Sequence, residues 1–559
     1  MNPQRIPNSS FWLGLAAVLL VALAGRVLLL ASGSVSFHSD EAVVALMARH
    51  ILQGERPVFF YGQAYMGSLD AWLVAVGFRL FGESVLSIRL VQAALYLGIV
   101  ATGYGLAWRL SGRQVVALAA GLLLAIPPVL VALYTTATLG GYNETLLLGN
   151  IVLWMAYDVT HEYRRSWWRW ALMGVCAGLG WWANGLIVAF GMPAALLIVI
   201  DLARGFAPAL GGVAGTRQAS SDSTDNAGVV PTSVPDSWRV RVIGILIAGA
   251  AFVIGSAPWW AFNLANNFAG LGFLVGGGSG QFAGTDVFSL PVEQRLIGLF
   301  LLGLPTLFGV RFPWQPTFFA PLVGVIVLGL AVAAVYRLLR RDTLRPDART
   351  LLLGMIGLFC LLYFASRFSF DPTGRYFLPL AVPVAVALAT LVEAVRPRIA
   401  QIAIVALFVG YFAAGQISAV STTPPGMTTQ FNLDTHIPND DDEALIAFLT
   451  EHDLTRGYTN YWISFRLAFL SGERLQYSAA LPYKPDLSYT PLDERYPPYR
   501  AAADAAERIA YVTANIDEVR ARLEAIFGEA GLDYQRAQVG VYWVYYDFDG
   551  APPRPPLDF

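Results

Sequence analysis

The stretch SFHSDEAVVALMARHILQGE, residues 36–55, sets Asp40 and Glu41 side by side shortly after a long apolar run. Carboxylates at a membrane edge are costly unless they face water or a partner, and they are ready proton acceptors. Arg375, in DPTGRYFLPLAVP (371–383), brings a guanidinium to a comparable boundary near Arg367 and Asp371. Its planar fork matches phosphate oxygens. Together these groups could displace a sugar from a phosphate. Asp40 or Glu41 would take the proton of an attacking hydroxyl, and Arg375 would hold the phosphate that leaves. Glu144 in GGYNETLLLGN and Asn263, Asn266 and Asn267 stand at similar apolar boundaries. Arg26 lies within an apolar run, where it either snorkels to the interface or lines a polar cavity and joins the phosphate contacts. His38 with Asp40 offers part of a divalent metal site, or is an ordinary loop residue.

The elements that must position these groups are membrane helices. The chain is 56% hydrophobic and 14% charged, against about a quarter charged in soluble domains. A net charge of −2 gives no basic field for nucleic acid. Cys176 and Cys360 both fall in apolar runs and encode neither a disulfide framework nor a zinc site. Hydropathy places eleven spans, at 11–31, 89–109, 114–134, 142–158, 170–185, 186–202, 241–260, 317–337, 350–368, 376–395 and 399–418. The first is too long in its apolar core for a cleaved signal. With the N-terminus inside, the clusters at 109–113, 161–169, 239–241, 336–349 and 396–398 all fall inside, as the positive-inside rule requires. The C-terminus is then outside. Residues 296–311, broken by Pro305, are expected to be a short interfacial or re-entrant helix, because a twelfth span would invert the last clusters.

The expected organisation is an all-α polytopic membrane bundle over 1–419 and a soluble extracytoplasmic α/β domain over 420–559. An outer loop at 32–88 carries the acidic pair, and an inner loop at 203–238 is small and polar. The helix after Asp40, about 41–53, is expected to lie along the membrane surface on Val43, Val44, Leu46, Met47 and Ile51. Loop 261–295 would cover the site. In the last part, DDDEALIAFLTEHD and NIDEVRARLEAIFGEAG have helical spacing, while RGYTNYWISF, RIAYVTA and QVGVYWVYYDF have the composition of strands. GSGQFA at 278–283 fits a nucleotide fingerprint by letters alone, without the strand such a loop needs.

Outside a cytoplasmic membrane no nucleotide-sugar pool exists, so a transferase there needs a donor carried in the lipid phase, such as a polyprenyl phosphate sugar. The stretch SDEAVVALMARHILQGERPVFFYGQAYMGSLDAWLVAVGFRLFGES resembles the first outer loop of the GT-C glycosyltransferases, in the branch of the protein O-mannosyltransferases and the lipid A aminoarabinose transferase. GGYNETLLLG and DPTGRYFLPLAVP are similar to two further family stretches. The resemblance covers about 1–418 and implies a GT-C fold and an inverting glycosyltransferase of the cell envelope, acting at the outer face of the cytoplasmic membrane. It implies Asp40 as catalytic base with Glu41 assisting, Arg375 with Tyr376 on the lipid phosphate, and Glu144 on the acceptor or a metal. Where the aminoarabinose transferase has a Glu-Lys pair, this chain reads Tyr65-Met66. Tyr61, Gln63 and Tyr65 then supply neutral hydrogen bonds to the sugar or acceptor, or form an aromatic belt, and Asn263 joins the sugar set. The rival expectation is a lipid-linked sugar flippase or transporter using the same polar groups; a noncatalytic surface protein is a third.

Overall fold

The computed structural model describes residues 8–161, 163–215, 238–276, 290–340, 344–366, 368–422, 426–431, 435–557 and 559. Loop 278–283 and Arg367 lie outside them. In the membrane part, α1 (Ser9–Ala31) starts where the Asn8 side chain accepts from Phe11 N. It is followed by α2 (Ser39–Gln53), the short hairpin β1 (Phe59–Phe60) and β2 (Gln63–Gly67), α3 (Leu69–Phe81) and α4 (Val85–Ser111). Next come α5 (Gln114–Ala125), α6 (Val129–Tyr134), α7 (Tyr142–His161), α8 (Trp167–Ala183), α9 (Val188–Gly215), α10 (Trp238–Gly255), α11 (Ala257–Ala265) and α12 (Ala269–Gly276). A continuous helical run follows: α13 (Val292–Ile297), a π turn (Gly298–Gly303) and α14 (Leu304–Leu307). Then come α15 (Pro321–Leu339), α16 (Pro346–Ala365), a 3-10 turn (Arg375–Leu380), α17 (Ala381–Ala394) and α18 (Arg398–Thr422).

Among the described residues, eight helices are long and apolar enough to cross a membrane. The other three expected spans are helical but fall short. The run 114–134 is split at Ile126–Pro128, where proline cannot continue the ladder. Helix α7 carries Asn143, Glu144, Asn150 and Asp158, and α8 has 17 residues. The run 292–307, which overlaps the segment 296–311, is helical with a π turn at its centre. Ion pairs gather several of the expected inner clusters at one end of the bundle: Arg109 and Arg169 with Asp158, Arg164 and Arg241 with Asp201, and Arg204 with Asp347.

Small residues let α8 and α10 approach closely. A Cβ on Gly174 would collide with Ala248 O, and one on Gly178 with Phe252 O. In a membrane such small-xxx-small contacts replace the hydrophobic effect as the source of helix association. Gly178→Leu is expected to destabilise the protein by about 1–3 kcal/mol, read as a lowered thermal midpoint in detergent; an unchanged midpoint would show that the pair adjusts freely.

The C-terminal part holds α19 (Asp442–Glu451), β3 (Arg456–Tyr458), α20 (Tyr461–Leu470), β4 (Gln476–Ser478), α21 (Pro497–Ala505), β5 (Ala510–Ala514), α22 (Asp517–Glu529), β6 (Gln535–Val539) and β7 (Tyr542–Tyr546). The sheet order is β4-β3-β5-β7-β6, parallel across β4-β3-β5 and antiparallel across β5-β7-β6. The expected strand at RGYTNYWISF ends at Tyr458. Asn460 then caps α20, its side chain accepting from Trp462 N. Helix α2 also differs from expectation. It is buried on nearly all sides between α3 and α20, and its Val43, Val44 and Met47 share an apolar cluster with Phe465, Phe469 and Tyr499. The outer loop and the C-terminal part therefore have a common core rather than a lipid-facing helix.

Candidate active site

Where the outer loop, the ends of α6, α7 and α16, the turn at 375 and the C-terminal part meet, a cavity of about 540 Å³ opens. Asp40, in the first turn of α2, lines it. A helix N-terminus favours a carboxylate there. The Tyr461 hydroxyl, from α20, donates to Asp40 Oδ1 and fixes its direction. Arg375 lines the same cavity with Tyr376. Its guanidinium pairs with Asp371 at 3.3 Å and donates to the Tyr376 hydroxyl at 3.4 Å. The loop carrying Arg375 is well anchored. Arg311, fully buried, donates to Gln315 O at 2.7 Å and to Pro372 O. Thr373 N donates to Asp371 Oδ1 at 2.9 Å, and Gly374 adopts φ 74° against Thr306. The floor is apolar, with Leu186, Val188, Ala189, Phe359 and Leu362.

The roof comes from the C-terminal part: Tyr461, Trp462, Tyr483, Asp493 and Arg495. The Arg495 guanidinium lies 5.3 Å from the Tyr461 ring centroid. With its side-chain oxygen turned toward Arg495, Gln63 accepts two hydrogen bonds, of 2.5 and 2.8 Å. Asp493 is 5% exposed, and burial pushes its carboxyl from 3.8 up to about 6, against the pull of Arg495. A carboxyl held above its unfolded value binds its proton preferentially in the folded state. Ionising it between about pH 4 and 6 therefore costs stability. Asp493→Asn should match wild type at pH 4 and exceed it by about 1–3 kcal/mol at pH 7.5, measured by thermal unfolding in detergent. A variant less stable at both pH values would contradict this.

Of the residues singled out in the sequence, Asp40, Gln63, Tyr65, Arg375 and Tyr376 meet at the cavity. Glu41, Arg26, Glu144, Tyr61, Asn263 and His38 do not line it. Glu41, one residue on from Asp40, is fully buried on the other side of α2. It pairs with Arg89 at 2.8 Å and accepts from Thr138 N at 3.1 Å, so it braces the loop rather than assisting at the reacting centre. Arg26 is a core residue, spent on Ala132 O at 3.1 Å, Thr135 Oγ1 at 2.7 Å, Thr136 and the face of Tyr96, so it is not a phosphate contact. Glu144 is buried beside Asp70, whose carboxyl burial raises and which accepts from Gln92 at 2.9 Å. Tyr61 bonds His50 and Glu55 and stacks on Tyr496. Asn263 is wholly buried, donating to Trp259 O at 2.9 Å and accepting from Leu271 N at 3.0 Å, a local turn contact. His38 is buried against Thr429 at 2.9 Å, and burial lowers its pKa to about 4. Among the described residues no group of three or more His, Cys, Asp and Glu side chains is placed to hold a metal ion.

Sequence reasoning missed Tyr461, Asp493 and Arg495. Asp493 and Arg495 sit in a stretch without a recognised motif, and Tyr461 lies in RGYTNYWISF, read there only as a strand.

The fold is that of the GT-C membrane glycosyltransferases. Residues 68–214 match the family described as dolichyl-phosphate-mannose-protein mannosyltransferase. The structure of ArnT from Cupriavidus metallidurans bound to undecaprenyl phosphate is similar, with a TM-score of 0.56 and 13% identity over 96% of this chain and 98% of that one. The archaeal oligosaccharyltransferase AglB from Archaeoglobus fulgidus, in complex with an inhibitory peptide and a dolichol phosphate, gives a TM-score of 0.49 and 13% identity over 98% of this chain and 75% of that one. No curated protein matches the chain by sequence.

Proposed function

We propose that the protein moves a sugar from a polyprenyl phosphate donor to an acceptor hydroxyl, with inversion, at the outer face of the cytoplasmic membrane. The observation that carries this reading is that Asp40 and Arg375 line one cavity with an apolar floor. The floor suits the start of a lipid tail, and Arg375 suits the phosphate. Asp40 takes the proton of the acceptor hydroxyl while its oxygen attacks the anomeric carbon on the face opposite the phosphate. The bond from that carbon to the phosphate oxygen breaks, and the electron pair leaves with the polyprenyl phosphate. Arg375 balances the charge that develops there. The undecaprenyl phosphate bound to the similarly folded ArnT supports a carrier of this kind.

Membranes containing the protein, supplied with a radiolabelled polyprenyl phosphate sugar, test the reading. Covalent label in a new product is expected. Movement of the intact lipid between leaflets without a new product would favour a flippase and overturn transfer. Arg375→Gln should raise the KM for the donor by at least about tenfold; an unchanged KM would remove Arg375 from phosphate binding.

A further inference from the structure

The cavity holds a second charged pair that the proposed transfer step does not use. Asp493 and Arg495 are 5% and 8% exposed, and both line the space above the apolar floor. Among the described residues Arg495 forms no ion pair, and its buried Nε has no hydrogen-bond partner, although Asp40 and Asp493 lie close enough to act on its charge. Its hydrogen bonds go to neutral Gln63. A guanidinium can only donate and a carboxylate can only accept. The group that satisfies both when set between them is one that donates and accepts at once, which is a hydroxyl. A free anion there would meet Asp40 and Asp493, and a cation would meet Arg495, so the pair disfavours charged ligands of either sign. Tyr461, Trp462 and Tyr483 add flat apolar surfaces beside it, which suit the C–H face of a sugar ring.

We propose that Asp493 and Arg495 form a subsite for neighbouring hydroxyls of a neutral donor sugar, so that the C-terminal part selects the sugar while Arg375 holds the phosphate. This rests on the transferase reading above. Asp493 accepts from one hydroxyl, Arg495 donates to the next, and Gln63 keeps the guanidinium plane in place.

Equilibrium binding to the full-length protein in nanodiscs separates the two readings. The probes are bare polyprenyl phosphate and the same lipid phosphate linked to mannose, to arabinose or to galacturonic acid. A neutral glycoside is expected to bind at least about tenfold tighter than the bare lipid. Asp493→Asn and Arg495→Gln should each erase that increment and leave bare-lipid affinity unchanged, which also shows that the variants are folded. Removing one ring hydroxyl from the preferred glycoside should weaken wild type by about tenfold and the variants hardly at all. Equal loss of bare-lipid binding in the variants, or galacturonic acid as the preferred sugar, would overturn the subsite. So would a wild type that binds bare lipid but gains nothing from any sugar, which leaves the carrier reading standing. A wild type that binds none of the four probes would overturn both.

Discussion

Asp40→Asn should leave the protein folded and membrane-inserted while lowering sugar transfer by about a thousandfold, within the 10²–10⁴ range of a positioned general base. Asparagine has the shape of the aspartate, and its amide oxygen can still accept from the Tyr461 hydroxyl. What it lacks is the capacity to take up a proton. The loss should therefore appear in turnover, with donor affinity largely retained, because the phosphate contact proposed above is assigned to Arg375, a different residue lining the same cavity. Label transfer into product, with a thermal midpoint in parallel, measures both. Turnover within tenfold of wild type would remove Asp40 from the mechanism.

Arg89→Met should destabilise the protein by about 3–5 kcal/mol, because it strands the Glu41 carboxylate in a fully buried position. The cost arises from the orphaned charge more than from the lost pair. Replacing both partners, Arg89→Met with Glu41→Leu, should recover much of the loss, and the coupling is read from a double-mutant cycle of unfolding midpoints. Additive single and double effects would show that the pair does not brace α2. Because Asp40 and Glu41 are adjacent on α2, the single variant should also displace the neighbouring carboxylate and lower turnover together with stability.

The pair also shows where sequence reading stops. Charge placement in an apolar chain marks Asp40, Glu41 and Arg375 as unusual, and composition fixes a helical membrane bundle. Adjacent residues on a helix point about 100° apart, so only one of two neighbouring acids can face a given space, and the letters do not say which. The structure turns Asp40 to the cavity and Glu41 to Arg89. Arg26 is misleading for a similar reason. A buried guanidinium looks functional until the carbonyl and hydroxyls of 132–136 are known to surround it. The aromatic run at 461–465 has the composition of a strand, yet the cap at Asn460 turns it into α20, and that helix brings the Tyr461 hydroxyl to Asp40. Short aromatic runs are ambiguous by period alone. Contacts between residues more than four hundred positions apart leave no local signature.

That distance has a consequence for how the protein is made. A ribosome that has delivered every helix through α18 has not yet produced the residue that grips Asp40, nor the two that close the roof. Throughout membrane insertion the nascent chain thus lacks the roof of the cavity, and a product truncated before about residue 495 would occupy the bilayer with the site incomplete.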